Sequence, residues 1–132
     1  MVEFDADVTL RLDPEADDEA IAALLTGTVP AATPTADRRL TGSLAARGSA
    51  ALDGDPETAW VTPFDGAIGA TLSFVTTEPL QTFDLVQPPG SFSPITTIRL
   101  SSGSTMTDAP VAPPDALGRS TIMLPTPLDA GP

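Results

Sequence analysis

Hydrophobic and polar residues alternate strictly at the start of the chain. Val2, Phe4, Ala6, Val8, Leu10 and Leu12 fall on one side, and Glu3, Asp5, Asp7, Thr9 and Arg11 on the other. A period of two predicts a half-buried strand over 2–12. Asp13-Pro14-Glu15 then predicts a helix start, with Asp13 as N-cap, Pro14 in the first turn and acids at the positive dipole end. Ile21, Leu24 and Leu25 give that helix a short apolar stripe, and Gly27 is its stop. The Pro/Thr/Ala stretch over 28–37 favours extended backbone and reads as a connector. Beyond it, short strands are predicted at 59–62, 70–76, 82–87, 96–101 and 120–124. They are broken by Pro and Gly at 63–69, 78–79, 88–90, at Gly103 and across 108–118. Short strands with such punctuation predict an antiparallel sandwich or jelly roll. The expected organisation is an N-terminal strand and short helix over 1–27, a connector over 28–37 and a β-sandwich over 38–132.

Composition supports an all-β chain. Fifteen prolines and ten glycines in 132 residues suit turns and sheet edges, and proline is excluded from helix interiors. The formal charge of −12 repels phosphate backbones and anionic lipid, which disfavours nucleic acid and direct membrane insertion as partners. Neutral polysaccharide, cations and basic partners remain open. Cysteine is absent, so no disulfide can form and thiols say nothing of the redox compartment. No apolar run approaches the ~20 residues of a membrane span, and no signal peptide opens the sequence. An exported or membrane-anchored origin therefore predicts that the chain is one soluble piece of a larger protein. The lack of Lys, Asn, Tyr and His beside abundant Ala, Pro, Gly and Arg resembles the codon bias of a GC-rich genome.

The densest chemistry lies in Ala51-Leu-Asp-Gly-Asp-Pro-Glu-Thr-Ala-Trp60, which holds two aspartates, a threonine and the only tryptophan. Calcium takes six to eight oxygens from carboxylates, carbonyls and water, at about 2.3–2.6 Å. Asp53 and Asp55 flank a glycine that lets the backbone turn, and Thr58 adds a hydroxyl and a carbonyl. An EF-hand is excluded by spacing: counting from Asp53, the sixth position is Thr58 rather than glycine and the twelfth is Phe64 rather than glutamate. Zinc lacks its preferred His and Cys ligands. The competing reading of 53–56 is a solvated turn, since Asp, Gly and Pro each favour turns. Trp60, opening an apolar run, is expected in the core.

This ten-residue run, entered through Arg39-Leu40 and Gly48-Ser49-Ala50, resembles the discoidin, or coagulation factor V/VIII type C, family, which includes galactose-binding-like carbohydrate modules. The family's run has an alanine-rich entry, Asp-Gly-Asp or Asp-Gly-Asn, two variable residues, Thr, one residue and Trp. Pro94-Ile-Thr-Thr-Ile-Arg-Leu-Ser-Ser-Gly103 is similar to one of its later strands. With Thr121-Ile-Met-Leu-Pro125 and the Pro-rich loop, the chain also resembles modules of the actinobacterial membrane arabinofuranosyltransferases that build cell-wall arabinan. The resemblance covers roughly 37–125. It implies a jelly-roll β-sandwich and one structural Ca2+ held by the Ala50 carbonyl, the Asp53 side chain, the Asp55 carbonyl, and Thr58 through hydroxyl and carbonyl. The chain departs from the family in two places. The sequence ends at Leu128-Asp-Ala-Gly-Pro132 before a final strand with its glutamate, and Gly69 is followed by Ala70 where an aromatic is usual. The cleanest amphipathic strand, 2–12, is expected to fill the place of that final strand and give a permuted sandwich.

Catalysis is not expected, because His, Cys and Tyr are absent. Glycoside hydrolysis needs two acids roughly 5–9.5 Å apart across a sugar, and Asp53 and Asp55 are too confined to straddle one. Sugar recognition uses aromatic faces and planar polar groups. Phe64 with Asp65, Phe92, and Arg47 as a forked donor are the candidate carbohydrate-binding residues. Their alternatives are burial for the phenylalanines and charge balance for Arg47. The expected function is a non-catalytic carbohydrate-binding module at the cell envelope that holds arabinan or a related glycan. The alternative is a structural or protein-interaction sandwich that binds no sugar.

Overall fold

The computed structural model of the chain describes residues 13, 16–17, 20–21, 23–24, 33–87, 90 and 93–131. The strand expected over 2–12 and its place in a permuted sandwich, the first half of the connector, Leu25, Gly27 and Phe92 lie outside the described residues. Among the described residues the chain is β-rich, with two short 3-10 turns and no helix of seven residues. Its strands are β1 (Thr35–Ala36), β2 (Leu72–Ser73), β3 (Leu80–Val86), β4 (Thr97–Ser102), β5 (Thr105–Pro110) and β6 (Arg119–Leu128). They pair as β1 with β2, β3 with β6 and β4 with β5. The chain divides into two compact units, Met1–Ala31 with Thr35–Leu72, and Ala32–Pro34 with Ser73–Pro132. The division falls inside the span expected to form one sandwich.

In the second unit, period two is obeyed along β4 and β5 and, on either side of the irregularity between Leu80 and Thr82, along β3 and β6. Ile122, Leu124 and Leu128 of β6, with Ala109 of β5 and Val111 after it, form the buried core. Leu80, Phe83 and Leu85 of β3 and Ile98 and Leu100 of β4 pack against it. Each large aliphatic side chain withdrawn from water here contributes about 1.5–3 kcal/mol. Outward positions pair in polar fashion. Arg99 stands directly opposite Asp108 and grips it with two bonds of 2.6 and 2.8 Å. Thr121 opposes Asp84 and donates to it at 2.6 Å.

β4 and β5 join through Gly103-Ser104. Gly103 has φ +57, and among the described residues only glycines have positive φ, which gives the φ signs of a type II′ hairpin turn, with glycine at its first central position. β5 was not expected, and its last three residues fall within the break expected over 108–118, which is a correction. Its inward residues are only Thr107 and Ala109, so its apolar signal is faint. β6 also runs past the expected end at 124, through Pro125 and Pro127. Two prolines are tolerated there because the register slips: Leu80 pairs with Leu128 but Thr82 with Met123. Proline, lacking an N–H, fits such an irregularity and not a regular ladder. Beyond β6, Gly131 is paired with Thr76, the two exchanging backbone bonds of 3.3 and 3.1 Å.

The turn into β6 is held by Asp115. Its carboxylate accepts the Leu117 and Arg119 N–H groups at 2.8 and 2.9 Å, while its carbonyl accepts Gly118 N–H at 3.0 Å. The Arg119 amide foremost, then that of Leu117, holds the Asp115 carboxyl below the usual carboxylate range. A lowered folded value stabilises fully above the unfolded pKa, and the stabilisation is lost as pH falls through the folded one. Wild-type protein is therefore expected to resist denaturant better than Asp115→Asn at neutral pH. That advantage should shrink below about pH 4, as read from denaturation midpoints at pH 7 and pH 3.

In the first unit, helical backbone appears at Ala20, Ile21, Ala23 and Leu24, with Ile21 buried. The N-cap is not Asp13 as expected but Asp17. Its carboxylate accepts Ala20 N–H at 2.6 Å, and its carbonyl accepts Ile21 N–H at 3.1 Å. Asp17 stands three residues before the amide it caps, as that bond requires, and the Asp13 carbonyl accepts Ala16 N–H in a preceding turn. Arg39 donates to the Ala16 carbonyl. Two 3-10 turns, Leu44–Ala46 and Gly48–Ala51, bury Ala46, Gly48 and Ala50.

The strands expected at 59–62 and over most of 70–76 do not form. Val61 donates to Ala46 (3.2 Å) and accepts from Leu40 (2.7 Å), single bonds to separate segments that make no ladder. Only Leu72–Ser73 of the second stretch forms a strand, and Thr76 makes only the isolated bridge to Gly131. The end of the expected connector forms β1, where Asp37 N–H donates to the Thr71 carbonyl (3.0 Å) and the Asp37 carboxylate accepts Thr71 N–H (2.8 Å).

Candidate functional site

The Asp53 loop is built largely from local bonds. The Asp53 carboxylate accepts Asp55 N–H at 3.0 Å, and the Asp55 carboxylate accepts Glu57 N–H at 2.9 Å. These are consecutive turns of an aspartate onto the amide two residues on, which is why Asp recurs at this spacing. Gly54, at φ +76, supplies the left-handed step between them. Thr58 closes the loop. Its hydroxyl oxygen lies 2.9 Å from each oxygen of the Asp53 carboxylate and 3.2 Å from the Asp55 carbonyl, and its N–H also donates to that carbonyl.

Arg47 binds this loop to the 3-10 turns. Its Nε donates to Ser49 Oγ (2.9 Å), one Nη to the Leu44 carbonyl (3.1 Å) and the other to the Asp53 carboxylate (3.2 Å). All three guanidinium nitrogens are thus engaged within the chain. The Arg47 and Asp53 side chains are 21% and 23% exposed, so the pair is partly withdrawn from solvent screening. Ala50 is buried beside them in the second turn, and its N–H donates to the Arg47 carbonyl.

Of the oxygens expected around a cation, the Asp53 carboxylate, the Asp55 carbonyl and the Thr58 hydroxyl come together. They suit a hard cation in kind, but Asp53 is the one carboxylate among them and already carries a guanidinium. Among the described residues no three Asp, Glu, His or Cys side chains gather as a metal would require. Against the six to eight oxygens of calcium, with charge set by carboxylates, this set is a poor fit while Arg47 stays in place.

Phe64 and Asp65 occupy the following loop, where Gly66 N–H closes a turn on the Pro63 carbonyl at 3.1 Å. Phe64 is 90% exposed and Ile68, a few residues on, 98%. Burial was the competing expectation for Phe64 and does not hold. An Arg38–Asp37 fork anchors the loop: Arg38 grips the Asp37 carboxylate at 2.8 and 3.0 Å and reaches the Gly66 carbonyl at 3.4 Å. The Arg38 guanidinium first, then the Thr71 amide, holds the Asp37 carboxyl below its usual range. Sequence reasoning missed this anchor, because adjacent Asp-Arg on a coil carries no signal of its own. Trp60 is half-buried rather than core, and its indole N–H donates to the Arg38 carbonyl at 2.9 Å. The indole thereby fixes the backbone that carries the fork.

No protein-family model, curated protein or solved structure matches the chain.

Proposed function

We propose that the chain is a non-catalytic carbohydrate-binding module with a galactose-binding-like jelly-roll fold, carried by an exported or membrane-anchored cell-envelope protein. Its ligand is arabinan or a related neutral glycan, held for an active site elsewhere in the parent. The observation that carries the proposal is the Phe64 ring, presented almost fully to solvent on a tethered loop next to the exposed Asp65 carboxylate. A bare aromatic face takes the C–H side of a sugar ring, and a carboxylate accepts from its hydroxyls. The Asp-Gly-Asp run and the β-rich architecture support the family resemblance on which the fold assignment rests. A non-catalytic role accords with the lack of His, Cys and Tyr, and with several carboxylates already held by arginine at Asp37, Asp53, Asp84 and Asp108.

Calorimetric titration with arabinofuranosyl oligomers tests this. The expected result is a saturable signal that Phe64→Ala weakens about tenfold, equivalent to about 1.4 kcal/mol. One observation favours the second reading, a structural or protein-interaction module. Ile68 is as exposed as Phe64 on the same loop and offers nothing to a sugar hydroxyl, whereas an exposed apolar pair suits another protein domain. A titration with no saturable signal would select that reading.

A further inference from the structure

We infer that the Arg47 guanidinium serves the Asp53 loop as a built-in cation, so that the loop closes without a metal ion. The inference rests on what surrounds Asp53. One carboxylate oxygen accepts Asp55 N–H, and the other faces Arg47 at 3.2 Å. Thr58 Oγ1 lies between them, 2.9 Å from each. A divalent ion bound to these oxygens would have to displace the guanidinium, and it would meet the positive charge of Arg47 at close range. The guanidinium supplies what the ion would: positive charge on the carboxylate, and a rigid link from the loop to its support through Leu44 and Ser49. Its planar fork makes such links in fixed directions, which an ammonium cannot do. Arg47 is then a positioning residue whose nitrogens are committed within the chain, and not a ligand of the sugar.

The experiment is thermal unfolding of the full chain in EDTA and in millimolar calcium chloride, for wild type, Arg47→Met and Arg47→Lys. Wild type is expected to melt at the same temperature in both solutions. Arg47→Met keeps the stem but removes the charge and fork, and should lower Tm in EDTA by about 5 °C. Calcium should then return about half of that loss, because the freed oxygens can accept an ion. Arg47→Lys keeps a charge and should stay indifferent to calcium. It carries the test should Arg47→Met fail to fold. A calcium-dependent rise of more than about 2 °C in wild type, or in Arg47→Lys, would overturn the inference. So would an Arg47→Met protein as stable in EDTA as wild type, or one destabilised without recovery in calcium. The outcome does not depend on the glycan proposal, which is read from sugar titration alone.

Discussion

Leu124→Ala is expected to destabilise the second unit by about 3–4 kcal/mol, the range for deleting a buried leucine whose surroundings cannot collapse into the space. Leu124 is 1% exposed and lies in the core cluster with Ile122 and Leu128, at the start of the register slip between β3 and β6. The neighbouring residue is the control. Met123 opposes Thr82 on the outer face and is 74% exposed, so Met123→Ala should cost no more than about 0.5 kcal/mol. Urea denaturation of the two variants checks the strand's parity directly, since a slip of one residue would exchange their effects.

Gly118→Ala is the second large effect, expected to cost about 2–5 kcal/mol. Gly118 has φ +78, and a β-carbon added there would lie 2.2 Å from the Gln87 carbonyl oxygen. That oxygen belongs to backbone that cannot swing aside, because Gln87 N–H donates to the Gly118 carbonyl at 2.7 Å. Left-handed backbone costs a non-glycine residue about 1–2 kcal/mol, and forcing the two backbone segments apart adds about 1–3 more. Gly103 separates the two causes. It also has positive φ, at +57, but open space around its would-be β-carbon. Gly103→Ala should therefore carry only the conformational cost of about 1–2 kcal/mol. A Tm loss for Gly118→Ala no larger than that for Gly103→Ala would show that the close approach to Gln87 is absent.

How far these features could be read in the sequence depended on how local their causes are. β3 and β4 were legible within two residues of their ends, because each alternates apolar and polar side chains across one buried face. β6 was legible at its start for the same reason, but Pro125 and Pro127 argued for a stop, and only the slipped pairing with Leu80 lets the strand continue. β5 was illegible, since the Arg99–Asp108 pair that marks its outer face joins residues nine apart in sequence and has no local signature. At 59–62 the apolar run around Trp60 implied a strand, and the missing ingredient was a partner, because Val61 bonds to separate segments instead of to one neighbouring strand.

The candidate site divides along the same line. The turns of Asp53 onto Asp55 and of Asp55 onto Glu57 follow from aspartates standing two residues before the amides they accept, so the oxygen-rich loop could be located without coordinates. The exposure of Phe64 could not, since an aromatic residue next to proline is buried or exposed according to what the rest of the chain places over it.

By itself, the sequence determined the β-rich class, the places of β3, β4 and the start of β6, the aspartate turns and the absence of histidine and cysteine side chains. Each of these depends on residue identity or on spacings of a few residues. Tertiary structure alone decided that Arg47 takes the Asp53 carboxylate, that Arg38 tethers the Phe64 loop, and that β5 exists at all. Those outcomes require chain segments to be brought together by folding, and side-chain bonds reaching across a fold depend on backbone paths that no local pattern encodes.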